Sequence, residues 1–134
     1  MVNDYAARLR HYSRFELVEL PSHRAGEPGR AKAVEATAIL DRVKATDRLV
    51  ALDELGKALT SHGLAELLNR SQIQSHSLVF CIGGDQGLDR EILDRSSLTL
   101  SLSRFTLPHR LARLVLVEQL YRAFTILRGE AYHK

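Results

Sequence analysis

Five consecutive apolar residues, Leu78-Val79-Phe80-Cys81-Ile82, stop abruptly at Gly83-Gly84. A run this short and this apolar reads as a strand covered on both faces, the kind found inside parallel sheets. Stretches with helical spacing flank it: Leu64 to Ile73 after the breaker Gly63, and Leu88 to Asp94 beyond the glycines. The same alternation runs through the rest of the chain. Asp4 to Ser13 reads as a short helix with Tyr5, Leu9 and Tyr12 toward one side. Phe15-Glu16-Leu17-Val18-Glu19-Leu20 alternates with period two before Pro21 and predicts a strand. Ser22 to Gly29 reads as a loop, Ala31 to Val43 as a helix, and Leu49 to Asp53 as a buried strand. Leu98 to Leu102 predicts a further strand, and Leu111 to Leu127 a long helix that is apolar over most of its circumference. Strands separated by helices predict an α/β fold with a mostly parallel sheet flanked by helices. The last helix holds more apolar residues than one stripe can bury, so it is expected to be covered on several sides, within the fold or by a second subunit.

The chain has 134 residues, enough for one core and too few for two, so residues 1–134 are expected to form a single domain. Nineteen basic and sixteen acidic side chains leave a net charge of +3, which permits RNA binding without demanding it. No apolar stretch is long enough for a transmembrane helix, and Met1-Val2-Asn3-Asp4-Tyr5 does not begin a signal peptide. The single cysteine, Cys81, has no internal disulfide partner, and the expected compartment is the cytoplasm. Its place in the middle of a strand makes Cys81 a core residue.

In an open parallel sheet, ligands bind beyond the carboxyl ends of the strands. Those ends are Leu52-Asp53, Ile82-Gly83-Gly84 and Leu102-Ser103. Gly83, Gly84 and Gly87 have two readings: a close backbone approach to a ligand, or a tight turn from strand to helix. A phosphate-binding P-loop is excluded, because Leu88-Asp89 follow the last glycine where Lys-Ser or Lys-Thr is needed. The six histidines do not cluster at zinc-ligand spacing, so no metal is expected, and no Gly-x-Ser-x-Gly nucleophile elbow is present. The most informative segment is Ser101-Leu102-Ser103-Arg104-Phe105-Thr106-Leu107-Pro108-His109. It follows a strand and precedes the long helix. Its backbone would offer N–H and C=O groups suited to an adenine edge and a ribose.

These segments together resemble one family. Ile82-Gly83-Gly84, Leu102 to His109, Glu118-Gln119-Leu120-Tyr121-Arg122-Ala123 and Tyr132-His133 are similar in order and spacing to the RlmH family. Its members are the 23S rRNA pseudouridine N3-methyltransferases of the SPOUT class. Tyr5-x-x-Arg8-Leu9, Phe15 to Leu20 and Leu52-Asp53-x-x-Gly56-Lys57 extend the resemblance over nearly the whole chain.

The resemblance implies a SPOUT-like fold whose C-terminal part, about residues 78–134, is threaded into a trefoil knot. It implies S-adenosylmethionine as cofactor, bound by Leu52, Gly83, Gly84, Leu102, Ser103, Arg104, Phe105, Thr106 and Leu107. It also implies a homodimer that acts on ribosomal RNA of the large subunit, with no membrane and no metal. Near the substrate the candidates are His109, Arg113, Tyr132 and His133, as base, phosphate contact or positioning group, with Arg122 as a further phosphate contact. Each has a plain alternative, since a terminal histidine is often only solvated and a helix arginine often only structural. The family begins with a strand that this sequence lacks, so four strands are expected where the family has five. Two other functions fit the same residues: a knotted dimer that holds cofactor or RNA without turnover, and a SPOUT methyltransferase with another RNA target.

Overall fold

The computed structural model describes residues 1–20, 28–84 and 86–134. Its helices are α1 (Val2–Leu9), α2 (Pro28–Leu40), α3 (Ser61–Ile73), α4 (Arg90–Arg95) and α5 (His109–Leu127). The strands are β1 (Asp47–Ala58), β2 (Ser77–Cys81) and β3 (Leu98–Ser101). They form a three-stranded sheet in the order β2-β1-β3, and β1 runs parallel to both neighbours. The fold is therefore the expected α/β arrangement of a parallel sheet with helices on its faces.

Period-two alternation sends β2 to two cores at once. Leu78, Phe80 and Ile82 pack toward Leu9 of α1, Leu64, Ala65 and Leu68 of α3, and Leu116, Val117, Leu120, Ala123 and Phe124 of α5. Val79 and Cys81 point the other way, toward Ala36 of α2 and Ile92 of α4. Two covered faces explain why the run is apolar at every position. The same burial pushes the Cys81 thiol up to about 11, so it is a protonated core group at neutral pH. Helix α5 buries one side against α1 and α3, while Leu111 and Leu127 at its two ends stay exposed.

Local chemistry sets the helix ends. Thr60 caps α3 by accepting from the Gly63 N–H at 2.9 Å, and Asp89 caps α4 by accepting from the Glu91 N–H at 2.9 Å. That cap starts α4 at Arg90, two residues later than the apolar spacing suggests. Pro28 opens α2, where a missing N–H costs nothing. Gly29 belongs to the same helix, so the loop expected over Ser22 to Gly29 ends before residue 28; residues 21–27 lie outside the described set.

Two expectations need correction. Phe15 to Leu20 forms no strand, and the described residues contain three strands instead of four. The segment is laddered to no strand of the described sheet, which runs β2-β1-β3. Its alternation instead records which side chains it tucks inward: Phe15 packs on the larger core, while Glu16 and Glu19 face solvent. Strand β1 is longer than Leu49 to Asp53. It leaves the β3 ladder after Leu52 and rejoins it at Lys57, so that Leu100 sits opposite both residues. Asp53, Glu54, Leu55 and Gly56 bulge out between them. Such bulges are common beside functional sites, because they re-aim side chains at a sheet rim.

Candidate functional site

Because β2, β1 and β3 are adjacent and parallel, their carboxyl ends lie side by side, about 5 Å from strand to strand. Gly83 follows β2, Leu52 precedes the bulge of β1, and Leu102 follows β3. Leu52 and Leu102 are half-buried against the larger core, and Gly83, Gly84, Ser103 and Leu107 are half-buried as well. Arg104, Phe105 and Thr106 are exposed. All nine expected cofactor residues thus fall on one rim.

The glycine turn is built by close backbone contact. A Cβ on Gly83 would lie 2.4 Å from the carbonyl carbon of Gly87 and 2.7 Å from the nitrogen of Leu88. The Gly87 N–H donates to the Gly84 carbonyl at 2.9 Å, and Gly87 has φ +79. Gly83 is therefore required by the protein's own turn, the second of the two readings.

Two further contacts shape the rim. The Ser103 hydroxyl accepts from the Phe105 N–H at 2.9 Å, and the Thr106 hydroxyl donates to the Glu54 carboxylate at 2.6 Å. The second contact ties the loop after β3 to the bulge of β1. His109, at the start of α5, lies 3.0 Å through Nδ1 from the Gly83 carbonyl oxygen. A carbonyl only accepts, so Nδ1 carries the hydrogen, and in the neutral ring Nε2 holds the lone pair on an exposed side chain. One turn further along, Arg113 pairs with Glu19, and its Nε is buried with no partner among the described residues.

Tyr132 and His133 lie elsewhere. At about 100° per residue and 1.5 Å rise, Glu118 is on the opposite face of α5 from His109 and about 13 Å along it. There Glu118 accepts from Arg122 at 2.9 Å and from the Tyr132 hydroxyl at 2.9 Å. The Tyr5 hydroxyl lies 3.4 Å from that of Tyr132. The bond with Tyr5, burial and the Glu118 bond all raise Tyr132, which stays a protonated donor at neutral pH. The Glu118 bond likewise raises Arg122, which remains charged. Arg122 donates to Nδ1 of His133 at 3.1 Å, so in the neutral ring Nε2 carries the hydrogen. The structure thus brings His109 and Arg113 together near the glycine turn and gathers Tyr132 and His133 around Glu118. Within one chain it does not join the two pairs.

Among the described residues no group of three His, Cys, Asp or Glu could hold a metal ion. No described helix is long and apolar enough to cross a membrane. A hollow of ≈ 430 Å³ lies at the amino ends of the strands, lined by residues including Lys44, Arg48, Leu49 and Arg95, away from the rim that gathers the candidate residues.

A parallel sheet with helices on both faces, and a rim of glycine turn and irregular loop at its strand ends, defines an α/β protein built to hold a ligand at one edge. The sequence model described as "Predicted SPOUT methyltransferase" matches residues 1–133, and the chain belongs to this family. Membership brings with it a methyl-donor cofactor. The chain is 54% identical over 135 residues to the "Ribosomal RNA large subunit methyltransferase H" of Anaeromyxobacter dehalogenans strain 2CP-C, covering 99% of this chain and 88% of that protein. The protein of the same name from strain 2CP-1 is 53% identical, and that of Anaeromyxobacter sp. strain Fw109-5 is 52% identical, both over the same shares.

Sequence reasoning passed over Glu118 and Glu54 as site residues. The four-residue spacing of Glu118 and Arg122 was a usable signal for the first. Nothing local signals the second, because its partner Thr106 is 52 positions away.

Proposed function

We propose that this chain transfers a methyl group from S-adenosylmethionine to N3 of a pseudouridine in 23S ribosomal RNA, as a cytoplasmic homodimer with a knotted C-terminal part over about residues 78–134 of a single domain. The observation that carries the reading is the 54% identity, over 99% of the chain, to a protein named for methylating large-subunit ribosomal RNA. The rim residues fit an adenosine-bearing donor. Leu52, Leu102 and Leu107 offer half-buried apolar surface, and the irregular backbone of residues 102–108 offers N–H and C=O groups without a buried charge. When bound, the cofactor supplies an electrophilic methyl group on a sulfonium.

The chain's own residues then have distinct tasks. The rim aligns the methyl group with the incoming nitrogen, which is most of what such a transfer needs. The imide N3 must lose its proton. Nε2 of His109 accepts it, because the Gly83 carbonyl fixes the ring in the tautomer that leaves this lone pair free. Glu118 takes the hydrogen of Tyr132 and the charge of Arg122, so these two position the tail that carries His133. The separation of the two groups on α5 supports the dimer, since a second copy can bring its Tyr132 and His133 toward the first copy's His109. The exposed Leu111 and Leu127 on α5 support it too.

Mass spectrometry of ribosomal RNA from a strain whose only such gene is this one tests the proposal. One added methyl on a pseudouridine is the expected result. A folded, expressed protein with no added methyl overturns it and leaves the reading of a dimer that binds without turnover. A methyl on another nucleotide points to a different RNA target.

A further inference from the structure

The chain has four phenylalanines and no tryptophan. Phe15 and Phe80 pack against the larger core, and Phe124 lies within it. Phe105 alone is held out in solvent, 83% exposed. Leu55, at the tip of the β1 bulge, is 91% exposed. These two side chains flank one hydrogen bond, because Glu54 precedes Leu55, Thr106 follows Phe105, and the Thr106 hydroxyl donates to Glu54 at 2.6 Å. The Phe105 backbone is held as well, by its N–H bond to the Ser103 hydroxyl at 2.9 Å. The ring is thus presented on a pinned loop at the rim of the site.

Its surroundings select the occupant. Arg104, His109 and Arg110 on the same loop and helix start are exposed, and so is Lys57 at the end of the bulge. Among the described residues neither Arg104 nor Arg110 enters an ion pair. An exposed aromatic ring beside cations that enter no ion pair among the described residues matches the surface that holds single-stranded nucleic acid, where bases stack on the ring and cations follow the phosphates. A second copy fits less well, because a twofold contact through this patch would set the same arginines against each other.

We infer that Phe105 is a stacking platform for an unpaired nucleobase of the RNA substrate, with Leu55 extending the apolar surface and Arg104 and Arg110 contacting the flanking phosphates. The inference rests on the reading that the chain modifies RNA. It gives Phe105 a task separate from the cofactor: its backbone lines the loop, and its ring faces outward to the substrate.

The test uses the full chain with S-adenosylmethionine and a synthetic RNA hairpin carrying pseudouridine in its loop. F105A is expected to weaken RNA binding about tenfold, toward the low end of what one base–aromatic stack contributes, with a far smaller change in cofactor affinity by calorimetry. F105W is expected to restore RNA affinity, and its fluorescence, the only tryptophan signal in the chain, to be quenched as RNA binds. RNA affinity in F105A equal to the wild type overturns the inference. So does an equal loss of cofactor affinity, which assigns the ring to the cofactor, or a lower sedimentation coefficient in F105A, which assigns it to a contact between copies. Wild-type protein that binds no RNA overturns the functional reading as well, whereas normal wild-type binding with an indifferent F105A overturns this inference alone.

Discussion

Gly83 has no room for a Cβ, which would sit 2.4 Å from the Gly87 carbonyl carbon and 2.7 Å from the Leu88 nitrogen. Neither neighbour is a flexible side-chain end, so an alanine here has to displace backbone. Gly83→Ala is expected to lower stability by about 1–3 kcal/mol in urea denaturation, the usual cost of overpacking. It also moves the carbonyl that holds His109, so activity should fall further than stability alone explains. Unchanged stability would show that the turn relaxes freely. Tyr12 gives a prediction in pH. Its hydroxyl donates to Glu130 at 2.7 Å, and that bond, followed by burial, pushes it up to about 12 from an ordinary value of 10. A group raised on folding contributes its full stability below the unfolded value and loses it as pH rises through the folded one. The stability difference between wild type and Tyr12→Phe should therefore be constant below about pH 10 and shrink between about 10 and 12. A difference that stays flat across that window would rule the bond out as its source.

Helix α5 works as a rail that carries two different chemistries on opposite faces. Glu118 organises the second face: it holds Arg122 one turn on and the Tyr132 hydroxyl from the chain's tail. The Glu118–Arg122 pair is mostly shielded, with side chains 18% and 24% exposed, so it is worth more than a surface pair. Glu118→Ala should cost about 1–3 kcal/mol and speed amide exchange in residues 130–134 selectively. Glu118→Gln keeps an acceptor for Tyr132 and should protect the tail partly; tail exchange unchanged in both variants would show that Glu118 does not anchor it. How far elements can be read from sequence follows from what each one's partners are. Strand β2 was legible nearly to the residue, because burial on two faces leaves a continuous apolar run. Phe15 to Leu20 was misread, because alternation reports sidedness and says nothing of whether a neighbouring strand is there to bond. The bulge of β1 was hidden for a related reason. Asp53-Glu54 looks like the polar end of a strand, and only the double pairing of Leu100 carries the strand onward.

At the scale of the whole molecule, the rim was legible because each strand's carboxyl end can be read from the sequence and a parallel sheet sets those ends on one side, where the expected cofactor residues lie. The grouping of the four expected catalytic residues was not legible. The contact of Glu118 with Tyr132 depends on the chain turning back at Gly129, which has φ +67, and no periodicity encodes the consequence. The result is a chain with His109 beside the rim and His133 on the far face of α5, bound to Arg122. A homodimer resolves this separation if each copy lends its tail to the other's rim. Subunit mixing decides the matter. His109→Ala and His133→Ala are each expected to be nearly inactive alone. If one site takes His109 from one copy and His133 from the other, a mixed dimer has one intact site and one doubly broken site. Half of the dimers in an equal mixture are mixed, so refolding the two variants together should restore about a quarter of wild-type activity. If instead each site is completed within its own chain, every site in the mixture lacks one histidine, and activity stays at the level of the single variants. Recovery near a quarter would assign the tail to the partner's rim; no recovery, with mixed dimers demonstrated by mass, would require the tail to reach the rim of its own chain.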